Sequence, residues 1–224
     1  MKLNVVIAEA ALELIPRELW GDPSVVSDSR RRGVEPSRIL LDRSFHHRAM
    51  LRLKEGEKRG RPDLVHMTLL SITGAPLYTD GLVKAFIHTC GNLVIEVEEK
   101  TRIPKSYFRF RGLMEQALAE KPSRGLLRVH TADFEALTKE IGSDSVIGLS
   151  TRGRAVSMEE LATMFSAAKN PSMVVGGFAH GHFSTKTTRA MDELVRIHEK
   201  PLDAHVVTSR VLYEVEKRVT RTND

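Results

Sequence analysis

Leu126-Leu127-Arg128-Val129-His130, Ser145-Val146-Ile147-Gly148-Leu149-Ser150 and Met173-Val174-Val175-Gly176-Gly177-Phe178 are three short apolar runs. Between them stand two segments of helical length, Asp133 to Ile141 and Ser157 to Phe165. Strand-helix alternation of this kind predicts an α/β fold with a mainly parallel sheet, because parallel neighbours need a crossover and a helix usually supplies it. Outward toward the C-terminus, a last long helix is expected over about Asp203 to Val219. Toward the N-terminus, Tyr107, Phe110, Met114, Ala117 and Leu118 follow Pro104 at helical spacing and predict a helix to about Glu120. Val83 to His88 and Leu93 to Val97 flank Thr89-Cys90-Gly91-Asn92, a hairpin signature with glycine available for positive φ. A helix is expected to start at Pro62, and another over Phe45 to Leu53. Lys2 to Ala8 reads as a buried strand, Glu9 to Leu14 as a helix-compatible segment stopped by Pro16, and Arg38 to Asp42 as a second short strand. Gly21 to Pro36, with two prolines, two glycines and several serines, is expected to be a loop poor in core residues.

The 224 residues, 41% hydrophobic, can bury a full core, and neither an internal repeat nor a proline-rich linker divides them. One domain over residues 1–224 is therefore expected. No apolar run reaches eighteen residues, and Glu9 interrupts the N-terminal run too soon for a signal peptide, so a soluble, unprocessed, cytoplasmic protein is expected. The lone Cys90 excludes an internal disulfide and a four-cysteine zinc site. Neither His46-His47 nor His180-x-His182 has metalloenzyme spacing, so no metal is expected. The net charge of +5 favours polyanions only weakly. Its clustering says more: Arg30-Arg31-Arg32, then Lys58, Arg59 and Arg61, then Arg102, Lys105, Arg109 and Arg111. Arginine's planar fork suits phosphate better than lysine's point charge.

Three motifs can carry chemistry. In Arg59-Gly60-Arg61-Pro62-Asp63, glycine and proline set a turn before a helix. The turn reads equally as an N-capped solvent turn or as a carboxylate, Asp63, that fixes the Arg61 guanidinium as a clamp. In Thr101-Arg102-Ile103-Pro104-Lys105-Ser106-Tyr107-Phe108-Arg109-Phe110, Lys105 and Arg109 share one helical face while Tyr107, Phe110 and Met114 share another. That is either a solvated charged face or a set of cations presented to a nucleic-acid backbone. In Val174-Val175-Gly176-Gly177-Phe178-Ala179-His180-Gly181-His182, an apolar strand runs into a glycine-rich turn that is neither a dinucleotide fingerprint nor a phosphate loop. Gly176, Gly177 and Gly181 would permit unusual φ/ψ and a close backbone approach to a ligand, or simply a tight turn.

Taken in order, Arg61-Pro62-Asp63, Phe86-Ile87-His88-Thr89, Thr101-Arg102-Ile103-Pro104, Arg109-Phe110-x-Gly112-Leu113-Met114, Val175 to Gly181 and Pro201-Leu202 resemble the ribosome-biogenesis methyltransferases that methylate N1 of a pseudouridine in small-subunit rRNA. These belong to the SPOUT, or α/β-knot, superfamily. The resemblance implies a trefoil-knotted, mainly parallel sheet with flanking helices, a hairpin and helical extension at about 45–112 carrying RNA-binding residues, and a homodimer. None of this follows from composition or periodicity, and knots are exceptions to the usual connection rules. It implies S-adenosylmethionine held by Thr151, Gly176, Gly177, Gly181, Ile197, His198, Glu199, Lys200, Pro201 and Leu202. It implies RNA contacts at Arg59, Arg61, Arg102, Lys105 and Arg109, with Arg61 and Asp63 closest to the chemistry. Lys105 stands where the family carries arginine, and His198-Glu199-Lys200 departs from the family's composition.

The expected substrate is a small-subunit rRNA hairpin loop, with other ribosome assembly factors as further partners. The proton on N1 would leave to Asp63 or to water. Two other readings remain open: an RNA-binding assembly factor without catalysis, and a knotted methyltransferase acting on tRNA.

Overall fold

The structure, a computed structural model, describes residues 1–221. Residues 222–224, which the expected domain includes, lie outside the described residues. Strands β1 (Leu3–Ala10), β2 (Val83–Thr89), β3 (Leu93–Val97), β4 (Leu127–Thr131), β5 (Ser145–Ala155), β6 (Pro171–Gly176) and β7 (Glu193–Arg196) form one sheet in the order β4-β3-β2-β1-β6-β5-β7. All pairings are parallel except those of β3, whose hairpin with β2 and pairing with β4 are antiparallel.

The central strand β1 shows why its sequence is continuously apolar. Val5 and Ile7 face one core with Leu69, Phe110, Phe165 and Val211, while Val6 and Ala8 face a second with Phe86, Phe134 and Val174. A parallel strand covered on both faces has no polar side to alternate with. Helices α3 (Pro62–Thr73), α4 (Pro76–Thr79), α5 (Tyr107–Glu120), α7 (Met158–Ala167) and α9 (Ala204–Arg221) belong to the first layer, and α6 (Phe134–Glu140) with α8 (Thr185–Arg189) to the second. Their starts are set locally: Asp133 accepts from the Ala136 N–H, Ser157 from Glu160 and Ser184 from Thr187, each satisfying a donor that the first helical turn leaves open.

A third small core holds Ile15, Leu19, Val25, Ile39, Leu41, Ala49, Met50 and Leu53 together. It corrects three expectations. Residues 21–36 are not a loop: α1 spans Pro23–Arg32, capped by Asp22, with Pro23 in its first turn and Gly33 at φ 63 ending it, and Val25 is fully buried. Residues 9–14 are not helical. Glu9 sits at φ 50 and breaks the β1 register, after which the chain runs extended, with the Ile15 N–H donating to Ile39 and the Leu41 N–H to Glu13. Residues 38–42 accordingly make one isolated bridge, Leu14 to Leu40, and not a strand, because a 3-10 turn at Pro36–Arg38 uses up its start. The helix α2 (Arg43–Met50) begins two residues earlier than expected, where Asp42 caps it. The strands and helices expected downstream of Pro62 are present, whereas α4, α8 and β7 were not foreseen.

Candidate active site

The C-terminal ends of β5, β6 and β7 lie side by side, the position at which open α/β sheets bind ligands. Three loops there enclose a cavity of about 410 Å³, within the range of small-molecule sites. Leu149, Ser150 and Thr151 come from β5, Gly176 to Phe183 follow β6, and Arg196 to Ala204 follow β7 with Glu199 and Gly177 left out of the lining. Leu64 on α3 and Arg61 just before that helix close it. Apolar side chains (Leu149, Val175, Phe178, Ile197, Leu202, Val207) alternate with exposed backbone at the glycines, which suits an uncharged heterocycle gripped by N–H and C=O groups.

The wall from β5 has an unusual origin. Leu149 and Arg154 both pair with Val195, so residues 150–153 bow out of the sheet. At the foot of the bow, a Cβ on Gly153 would lie 2.4 Å from the Val195 nitrogen and 2.5 Å from the Leu194 carbonyl. The β5 bow and β7 therefore touch backbone to backbone. No local sequence pattern marks Gly153, since what forbids its side chain is a strand about forty residues away in sequence.

The three glycines of the turn after β6 differ in role. Gly181 alone has φ in the left-handed region, at +89. Gly177 faces inward: its N–H donates to Ala8, its carbonyl accepts from Ala11, and a Cβ would meet the Ala10 Cα at 2.6 Å. It docks the turn on β1. A Cβ on Gly176 would press on the Phe178 ring, itself part of the cavity lining. The turn is fastened from outside by Lys58, which the sequence did not single out for this. Its ammonium donates to the His182 carbonyl at 2.6 Å, lies 4.9 Å from the Phe178 ring centroid and 3.7 Å from Glu9 Oε2. Glu9 in turn accepts from the Ser184 N–H at 2.7 Å.

Arg61 and Asp63 form the bidentate pair their spacing suggested, with Nε to Oδ1 and Nη2 to Oδ2 both at 2.8 Å. Burial pushes the Asp63 carboxyl up, but the hydrogen bonds and charge of Arg61 and the backbone N–H groups opening α3 more than offset it, holding it below the usual carboxylate range. The guanidinium is thus fixed in the cavity wall while Asp63 stays ionised. Helices α3 and α4 also set the neighbouring cations: from α3 the His66 ring donates to the Pro104 carbonyl at 2.7 Å and stacks on Phe110 at 4.4 Å, and from α4 the Tyr78 hydroxyl donates to the Thr101 carbonyl at 3.2 Å. These contacts fix the segment bearing Arg102 and Lys105.

The basic clusters separate into two kinds. Arg102, Lys105 and Arg109 are exposed, and among the described residues none has a carboxylate within 4 Å. Arg32 instead grips Glu115 through two hydrogen bonds, Arg31 pairs with Asp28, and Arg59 grips Glu13 with two bonds of 2.6 Å. The Glu13 hydrogen bonds hold the Arg59 guanidinium firmly charged, as a strut between the chain after β1 and the turn before α3. Among the described residues no group of three or more His, Cys, Asp or Glu side chains is arranged to hold a metal ion, and no helix is long and apolar enough to cross a membrane.

Fold and site together define an α/β protein with a loop-built cavity at the ends of parallel strands and a carboxylate-fixed arginine in its wall. The family described as EMG1/NEP1 methyltransferase matches residues 5–216. The chain is 42% identical to the ribosomal RNA small subunit methyltransferase Nep1 of Pyrobaculum neutrophilum, over 95% of this chain and 96% of that one. It is 38% identical to the Nep1 of Staphylothermus marinus, over 96% and 95%. The crystal structure of Archaeoglobus fulgidus Nep1 bound to S-adenosylhomocysteine superposes with a TM-score of 0.87 at 34% identity, covering 98% of this chain and all of that one. The chain belongs to the EMG1/NEP1 methyltransferase family, and its fold is the SPOUT fold.

Proposed function

We propose that the protein transfers a methyl group from S-adenosylmethionine to N1 of a pseudouridine in small-subunit rRNA, and in doing so takes part in assembly of the small subunit. The observation that carries this reading is the Arg61–Asp63 pair in the wall of the cavity: a guanidinium held in one orientation by a carboxylate lines the space in which a donor would sit. The relative from Archaeoglobus holds S-adenosylhomocysteine, the donor less its methyl group. S-adenosylmethionine supplies the methyl and, at its sulfonium, the leaving group.

Thr151, Gly176, Gly181, Ile197, His198, Lys200, Pro201 and Leu202 would contact the donor. Gly177 would act by docking the turn, and exposed Glu199 by shaping the loop around the His198 ring, whose Nδ1 accepts from the Lys200 N–H at 3.1 Å. Arg61, Arg102, Lys105 and Arg109 would take the RNA, with Arg59 bracing the turn that carries Arg61. Pseudouridine's carbon–carbon glycosidic bond leaves N1 bearing a hydrogen, whereas N1 of uridine is occupied by the ribose. In transfer, the N1 lone pair forms a bond to the methyl carbon as the carbon–sulfur bond breaks toward sulfur, and the N1 proton leaves. Asp63, ionised but fully occupied by Arg61, is a poor base, so water takes that proton and positioning supplies most of the acceleration. A homodimer remains part of the proposal, by the family resemblance.

The test is transfer of labelled methyl from S-adenosylmethionine to unmethylated small-subunit rRNA and, separately, to bulk tRNA. Label in the rRNA alone is expected. Label in tRNA alone would move the substrate, and donor binding with no transfer to either would favour an assembly factor without catalysis.

A further inference from the structure

One exposed aromatic is unlike the others. Phe108 on α5 is 69% exposed, and a single exposed apolar side chain is ordinary. What surrounds it is not. Lys105 and Arg109, both free of carboxylates, flank it in sequence, and its ring is backed by the Arg111 guanidinium 5.4 Å from its centroid. Arg111 is itself held: it lies 5.4 Å from the Phe45 ring and 4.0 Å from Glu115, and Arg31 lies 5.3 Å from that same Phe45 ring. Cation and aromatic alternate from Arg31 through Phe45 and Arg111 to Phe108, and the series ends on a ring facing solvent. A ring braced in this way loses little further freedom when a second planar group lies on its open face.

Resting on the RNA-methyltransferase reading above, we propose that Phe108 is a stacking platform for one unpaired nucleobase of the substrate RNA, whose adjoining phosphates are taken by Lys105 and Arg109. A flat ring between cations fits a nucleotide, with π-face and anion side by side, and fits an apolar protein partner poorly, since docking one would bury both charges unpaired. Stacking would tolerate any base and so would add affinity without sequence choice.

The experiment measures affinity for a pseudouridine-containing hairpin at several salt concentrations, with sedimentation of each protein as a control. Phe108→Ala is expected to weaken binding about fivefold or more, the effect of losing one stacked base. The dependence on salt should keep its slope, because no phosphate contact is lost; Lys105→Ala should instead reduce that slope by about 0.7. Phe108→Trp should bind at least as well as the parent, and Phe108→Leu should resemble alanine. Placing 5-iodouridine at single loop positions and irradiating should attach the RNA to Phe108 from one position. Unchanged affinity in Phe108→Ala, or equal binding by the leucine and tryptophan variants, would overturn the platform. So would a changed oligomeric state with RNA affinity intact, which would assign the ring to self-association. Failure of the parent protein to bind RNA would instead remove the reading on which the platform rests.

Discussion

Gly153→Val should abolish donor binding and unfold the protein at markedly lower temperature. A Cβ at this position would fall 2.4 to 2.5 Å from backbone atoms of Leu194 and Val195, and strand backbone cannot swing aside as a flexible side chain can. Overpacking usually costs about 1–3 kcal/mol where side chains can adjust, and this contact lies at or beyond the upper end of that range. For a chain of this size about 3 kcal/mol corresponds to roughly 6–12 °C in melting temperature. Because the displaced strand β7 leads directly into the cavity loop 196–204, even the milder Gly153→Ala should lose affinity for S-adenosylhomocysteine by calorimetry. Gly112→Ala is the control. That glycine lies within helix α5 with open space around it, so alanine should be neutral or slightly stabilising. Equal melting temperatures for Gly153→Ala and Gly112→Ala would mean that β5 and β7 do not approach as described.

Arg61→Ala should lower single-turnover methyl transfer by about two orders of magnitude, the loss expected when a reacting group is misplaced by about an ångström. Donor affinity should change little, since the contacts proposed for the donor are backbone and apolar groups across the cavity. Asp63→Ala should be a weaker copy of the same defect, because the guanidinium stays but loses its two fixed hydrogen bonds. Both variants should narrow the gap in affinity between cognate and unrelated hairpins. If Asp63→Ala bound RNA and donor normally yet transferred nothing at saturating donor, proton removal by Asp63 would be the better account.

Arg61-Pro62-Asp63 was legible because the interaction is local: two residues and a fixed proline put a carboxylate beside a guanidinium. The parallel sheet was legible in β1, β6 and the first half of β5 because strand segments buried on both faces are continuously apolar. Helix α1 was legible too and was misread, since Asp22, Pro23 and Gly33 are a cap, a first-turn proline and a left-handed stop, but the serines and arginines between them suggested a loop. Lys58 on the His182 carbonyl and Gly153 against β7 were not legible at all. Their partners are far away in sequence, and only the finished chain path creates the need for a long cation at one and no side chain at the other. The same holds for the division of the basic clusters. Arg59 and Arg32 look like Arg102 and Arg109 in the sequence, and only the positions of Glu13 and Glu115 separate struts from free cations.

The central claim is that the acceptor is N1 of a pseudouridine. The most direct measurement incubates the protein with labelled S-adenosylmethionine and two RNA hairpins identical except for uridine or pseudouridine at one loop position, followed by nuclease digestion and identification of the labelled nucleoside. The account predicts label only in the pseudouridine hairpin, on the base, because uridine has no N1 position to accept it. Equal label in both hairpins, or label on a ribose, would contradict it.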